Sequence, residues 1–417
     1  MKKFFILFLW LATIIYAVIW TFENPEKIEK IKGEFKKNEK VETKVLTVGS
    51  KNITANSFTV NLLQVLEINS KTAFVTYPSN IKKFDPINLT IFTQTGQKIN
   101  KNESKKINLP NHFTLRRNGG VKTIFYLKDK AFALISSNEG GCYFVSIIFL
   151  EKGEEIFRSK CLPEDPSNND FNGLGSSNVH ISDSILLSLG TPEKHISKNS
   201  LLAQKDNSMF GKILEIKKKD LNEVLEKNSK NLKVNIFSKG HRVPQGLTVL
   251  NNKVFNVEHG PKGGDELNQV IKGKNYGWPV VSYGTNYQKN KGGDGKSIKL
   301  NHENENYEEP LFAFVPSIGI SALNNCPSVL KNYYKKPCLI ALSLYGNDLR
   351  KGHSLVVFLL NKDLDKVHSI EKIFLDGLIL RHFITDRKNV IYEDKDGAIF
   401  IAADKKGIYK IEFTDFR

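Results

Sequence analysis

Between residues 241 and 284 the chain reads HRVPQGLTVLNNKVFNVEHGPKGGDELNQVIKGKNYGWPVVSYG. The stretch sets Arg242, Gln245, Gly260-Pro261, the adjacent Asp265 and Glu266, and Tyr276 close together in an otherwise Lys-rich sequence. Arginine carries a planar fork of N–H donors that suits carboxylates. Calcium prefers oxygen ligands, backbone carbonyls among them. Asp265 and Glu266 have two readings, as metal ligands or as a turn carboxylate pair that caps backbone amides. His241 and His259 read as ordered loop histidines, and Trp278-Pro279 as packing without chemistry.

The elements around these residues read as strands. Runs such as SFTVNLLQVLEI, KTAFVTY, VKTIFYL, AFALIS and SLVVFLL are rich in β-branched and aromatic residues and are separated by Gly, Asn, Asp and Ser. The best candidate for an amphipathic helix is KKDLNEVLEKNSKNL, near 219–232. Three segments share a strand-turn-strand form: VHISDSILLSLG, LTVLNNKVFNVEHG and IYEDKDGAIFIAADKKGIYKIEF, with turns at Asp183-Ser184, Asn251-Asn252 and Asp396-Gly397. Recurring hairpins over a chain of this size predict an all-β, six-bladed β-propeller, with blades of roughly 60 residues, and a pair of β-sandwiches is the alternative.

The amino terminus has its own signal. MKK precedes an uncharged apolar run from Phe4 to Phe22, long enough to span a bilayer at about 20 residues per crossing. Residues 1–24 therefore read as a transmembrane anchor helix or a signal peptide, 25–44 as a charged tether and 45–417 as the propeller. The Lys pair stays cytoplasmic by the positive-inside tendency, which puts the domain on the periplasmic side of a bacterial inner membrane, anchored or released. The four cysteines pair locally, Cys142 with Cys161 and Cys326 with Cys338, as two disulfides, and four reduced structural cysteines are the alternative. No C-x-x-C occurs. The net charge of +17 comes from scattered lysines rather than a stripe. With no nucleic-acid motif beside it, that pattern argues against a nucleic-acid partner.

Gly240 to Leu247, Glu258 to Asn268, and Gly273 with Asn275 to Pro279 together resemble the pyrroloquinoline quinone (PQQ)-dependent soluble sugar dehydrogenases, the glucose/sorbosone dehydrogenase family that includes the periplasmic aldose sugar dehydrogenases. The resemblance is strongest over 235–285 and weaker over 172–417. It implies oxidation of an aldose to a lactone, with electrons passed to a respiratory acceptor. It implies PQQ held by Arg242 and Gln245, with Arg387 and Lys351 as further cations, and a cofactor-bound calcium on the carbonyls of Gly260 and Pro261. Glu266 and Tyr276 match positions that hold a second, structural calcium in some relatives.

The departures are as informative. The family's catalytic His position falls at Gly173, leaving the base unknown, with His180 as a possible substitute. Val243 stands where the family has Asn, and Tyr345 where it has Lys. Two other functions therefore stay open: a non-catalytic, calcium-stabilised propeller that binds a glycan or a protein, and a calcium-dependent lactonase-like hydrolase.

Overall fold

The apolar runs pair into six antiparallel sheets in the computed structural model, which describes residues 43–45, 51–78, 84–101, 103–163, 169–194, 196–287, 298–300, 302–344, 353–375 and 377–417. Blade 1 is built from Thr72–Thr76, Thr90–Thr93, Gln97–Asn100 and Glu103–Lys106, and blade 2 from Val121–Leu127, Lys130–Glu139, Cys142–Phe149 and Glu154–Arg158. Blade 3 uses Asn178–His180, Ser184–Leu189, Lys212–Lys217 and Asn235–Lys239. Blade 4 uses Val243–Leu250, Lys253–His259, Asp265–Val270 and Phe312–Phe314, and blade 5 uses Ile320–Asn325, Cys338–Ser343, Ser354–Leu360 and Val367–Phe374. Blade 6 runs Leu380–Phe383, Ile399–Ala403 and Gly407–Thr414, then takes Thr59–Ile68 from the other end of the chain. Thr43–Val45 and Lys51–Thr54 extend its outer edge. The propeller expectation holds, and the sandwich alternative is set aside.

The first strand of each blade contacts the first strand of the next, which closes a ring around a central channel. The apolar core is divided accordingly. Six buried clusters lie one at each blade junction, for example Phe125, Leu134, Ile185 and Leu214 between blades 2 and 3, and Phe255, Leu267, Leu339 and Val356 between blades 4 and 5. Each sheet is thus covered on both faces. That is why Val121–Leu127 is buried at every position instead of alternating.

Local sequence accounts for the turns. Asn251 (φ 48°) and Asn252 (φ 63°) both take the left-handed backbone that a two-residue hairpin turn requires and that Asn tolerates well. At Asp396-Gly397 the carboxylate of Asp394 accepts the amides of Asp396 and Ala398, but the strand before this turn is reduced to isolated bridges at Ile391 and Glu393. The expected helix forms at Lys218–Lys227, inserted before the last strand of blade 3. Both cysteine pairs are disulfides, with Cα separations of 5.4 Å for Cys142–Cys161 and 5.6 Å for Cys326–Cys338. The apolar run at 4–22 and nearly all of the tether lie outside the described residues, and among the described residues no helix is long and apolar enough to cross a membrane.

Candidate functional site

Because the inner strands run the same way around the ring, the residues that precede them meet at one mouth of the channel and those that follow meet at the other. We call these the amino mouth and the carboxyl mouth. Between them Asn389 links two inner strands: its side-chain amide donates to the Asn178 carbonyl at 2.6 Å, and its own carbonyl accepts from Asn324 at 2.9 Å.

At the amino mouth, Gly240–Arg242 leads into the inner strand of blade 4. His241 is fully buried, stacked on Tyr276 with ring centroids 4.6 Å apart, and held by Ser238 at 2.9 Å and Glu258 at 3.3 Å. Glu258 also accepts the Arg242 amide (3.0 Å) and the Asn268 side-chain amide (3.0 Å). This buried hub fixes the backbone of Arg242 and aims its side chain across the mouth. The guanidinium lies over Trp278, 5.2 Å from the ring, and its Nη1 donates to the Gly260 carbonyl at 2.6 Å and more weakly to that of His259. Its Nε is buried and has no hydrogen-bond partner among the described residues.

Arg242, Glu258, Gly260, Glu266, Tyr276 and Trp278 line one cavity of about 10 Å³, room for a single water. The structure therefore brings Arg242, Gly260, Glu266 and Tyr276 together, with Pro261 adjoining. Glu266 pairs directly with Glu258 across two strands; burial first, and then the charge of Glu258, push its carboxyl well above the ordinary range. The Tyr276 hydroxyl is committed to the backbone, donating to the Gln269 carbonyl and accepting from Ile271. The Pro261 carbonyl accepts from the Tyr287 hydroxyl at 2.8 Å. Asp265 takes the capping role: one carboxylate oxygen accepts the amides of Ile318 (3.1 Å), Gly319 (2.7 Å) and Ile320 (3.1 Å), and the other that of Gly260 (3.2 Å).

The remaining sequence candidates disperse. Gln245 faces the channel beside Asn178, Asn324 and His382, around a separate space of about 30 Å³. Gly173 is buried in the short helix Phe171–Leu174, where a Cβ would stand 2.2 Å from the Thr191 carbonyl. Neither His180 nor Arg387 shares the site of Arg242. Both line the carboxyl mouth, since each follows or ends an inner strand. Burial and then the charge of Lys218 pull the His180 imidazole down to about 4. Arg387 pairs with Asp129 and lies over Tyr126. Lys351 lies outside the described residues.

Two residues at the amino mouth escaped the sequence reading. Arg381, near the start of the inner strand of blade 6, pairs through both its Nε and its Nη2 with Asp404, and its charge reaches His259. Matching the family's arginine motif to 387–390 passed over it. Glu193 follows the second strand of blade 3, is 4% exposed, and accepts hydroxyls from Thr191 and Ser200. Burial raises its carboxyl to about 7 against the opposing charge of Arg242. A lone Glu in GTPEKH carries no signal of this.

Residues 149–410, more than half of the chain, match the model of the Glucose / Sorbosone dehydrogenase family. The chain belongs to that family. An aldose sugar dehydrogenase of Escherichia coli is 39% identical over 90 residues, 21% of this chain and 23% of the relative. The alignment thus spans less than a quarter of the length of that curated relative. Among solved structures, a glucose dehydrogenase superposes with a TM-score of 0.61 at 21% identity, covering 84% of this chain and 98% of its own. The PQQ-bound aldose sugar dehydrogenase of Streptomyces coelicolor gives 0.52 at 15% identity, covering 90% and 98%. At these identities the superpositions establish the six-bladed fold, and the family model supplies the membership.

Proposed function

We propose that the protein is a sugar dehydrogenase of this family that oxidises an aldose to its lactone, with PQQ anchored at the amino mouth. The observation that carries the reading is Arg242. Its guanidinium is held by the carbonyls of Gly260 and His259 and lies over Trp278, and its buried Nε–H has no partner among the described residues. A tricarboxylate quinone offers such acceptors, and an unsatisfied buried donor is costly unless a ligand meets it. Arg381 supplies a second cation on the same side. When bound, PQQ supplies the two-electron acceptor; the chain's own residues bind and orient it and exclude water.

The donors suit a carboxylate, but the cavity at Arg242, about 10 Å³, has room only for a water-sized group, so the rings of the quinone have to lie outside it, and calcium fits poorly. The carbonyls of Gly260 and Pro261 already accept from Arg242 and Tyr287, so an ion at this turn has to share each oxygen with a donor, beside the charge of Arg242. Glu266 remains a candidate for the structural ion, because a buried carboxylate facing Glu258 gains most from a cation. In this reading the domain works on the periplasmic side, carried by residues 1–24, and passes electrons to a respiratory acceptor. The two disulfides support an oxidising compartment.

A second reading, a non-catalytic propeller that binds a glycan or protein, is favoured by one observation. The family's base position is a glycine packed against the Thr191 carbonyl, with no room for an imidazole. Titration of the protein with PQQ, with and without calcium, followed by dye-linked oxidation of aldoses, separates the two. Binding with turnover supports the dehydrogenase. Binding without turnover, or no binding, removes it and leaves the second reading.

A further inference from the structure

The carboxyl mouth is unused by the proposed chemistry. A cleft of about 910 Å³ opens there, lined by Tyr126, Lys128, His180, Lys218, Arg387 and Lys388 together with Asp129 and Asp386. A second space of about 420 Å³ adjoins it through Tyr77, Tyr126 and Arg387 and adds Lys98, Lys105 and Lys106. Volumes of this size suit a ligand of several rings rather than a lone ion.

The charges in the cleft are unbalanced. Arg387 is paired with Asp129, and Asp386 is occupied by the amides of Lys388 and Val390. No carboxylate among the described residues forms an ion pair with Lys128, Lys218 or Lys388. Lys218 is held in place by the carbonyls of Ile181 and Ser182, so its ammonium cannot swing away from its neighbours. Burial lowers its pKa, and the charge of Lys388 lowers it further, the mark of like charges kept facing one another. The Nε2 of His180 is buried in the same wall without a hydrogen-bond partner among the described residues. Like charges gathered around one cleft, with Lys218 held in place, are stabilised by an anion placed among them.

We propose that this cleft is a second binding site, for an acidic oligosaccharide whose carboxylates meet Lys128, Lys218, Arg387 and Lys388. The side-chain amides of Asn222 in the larger space and Asn100 in the smaller one offer partners for sugar hydroxyls, which a bare phosphate or sulfate would leave unused. The cleft shares no lining residue with the cavity of Arg242, so the proposal stands independently of whether PQQ binds.

Isothermal titration of the full-length protein tests it, with an oligogalacturonate as probe and the neutral galactose oligomer, inorganic phosphate and a short single-stranded DNA as references. The expected result is binding of the acidic oligomer that weakens with salt and falls by about tenfold in each of Lys128→Glu and Lys388→Glu. Both residues are exposed, and an unchanged melting temperature shows that the variants fold. Equal affinity for the neutral oligomer, no binding of the acidic one, or equal binding of DNA or phosphate overturns the proposal. So does acidic-oligomer binding that both charge reversals leave intact.

Discussion

The guanidinium of Arg242 donates to the carbonyl oxygen of Gly260 at 2.6 Å, tying the start of one blade 4 strand to the turn that follows the next. The same carbonyl is the one the family resemblance assigns to calcium, so the charge of Arg242 opposes an ion at that oxygen. Replacing Arg242 by Lys keeps a charge but loses the fork and the stacking on Trp278. PQQ binding in Arg242→Lys is expected to weaken by roughly 10–100-fold, the range for a charged hydrogen bond. A titration followed by quinone absorbance measures it; undiminished affinity would place the cofactor elsewhere.

Restoring the family's histidine is expected to fail. In Gly173→His the new Cβ stands 2.2 Å from the Thr191 carbonyl, inside a buried helical turn. The backbone must shift, and a loss of about 1–3 kcal/mol follows from overpacking. Thermal denaturation should show a clearly lowered midpoint and activity assays no gain. A stable, more active variant would mean that this loop moves freely.

Asp265 joins blades 4 and 5 through four backbone amides. Asp265→Ala removes the acceptor of all four amides, at about 1–3 kcal/mol for each buried group left unsatisfied. The variant should be among the least stable in the protein, measured by urea denaturation, and added calcium should not rescue it. Rescue by calcium would return Asp265 to the metal reading.

Glu193 gives the fold a pH dependence. Its native pKa, raised to about 7, lies above that of the unfolded chain, so its contribution is full below the ordinary carboxylate pKa and is lost as pH rises through 7. The loss is on the order of 3 kcal/mol. Glu193→Gln removes the ionisation, so the variant should melt above the parent at pH 8 and close to it at pH 5. Parallel melting curves at both pH values would show that the carboxyl is not perturbed.

Much of the fold was legible because it is local. Asn251-Asn252 fixes a hairpin by its own backbone preference, and the apolar runs announce the strands that fill each blade junction. The Arg242–Gly260–Glu266 cluster was legible too, through an ordered motif. Arg381 and Glu193 were not, because their meaning comes from residues distant in sequence: Asp404 for one, Ser200 and the field of Arg242 for the other. Arg387 misled for the same reason. Its position along the chain is close to that of Arg381, yet the few residues between them carry it from one mouth to the other.

The last blade is sealed by strands from both ends of the chain, with Thr59 directly opposite Thr414 and the Arg417 amide bonded to the Ser57 carbonyl at 3.0 Å. Joining those two points by a short linker would keep the four main strands of every blade while shedding the edge strands Thr43–Val45 and Lys51–Thr54, and the polypeptide could then be cut at the exposed Asn251-Asn252 turn. The circle of blades has no intrinsic first member. A circular permutant of this kind would present new ends at the carboxyl mouth, beside the inner strand of blade 4, freeing the seam inside blade 6 from its place at the boundary of the sequence.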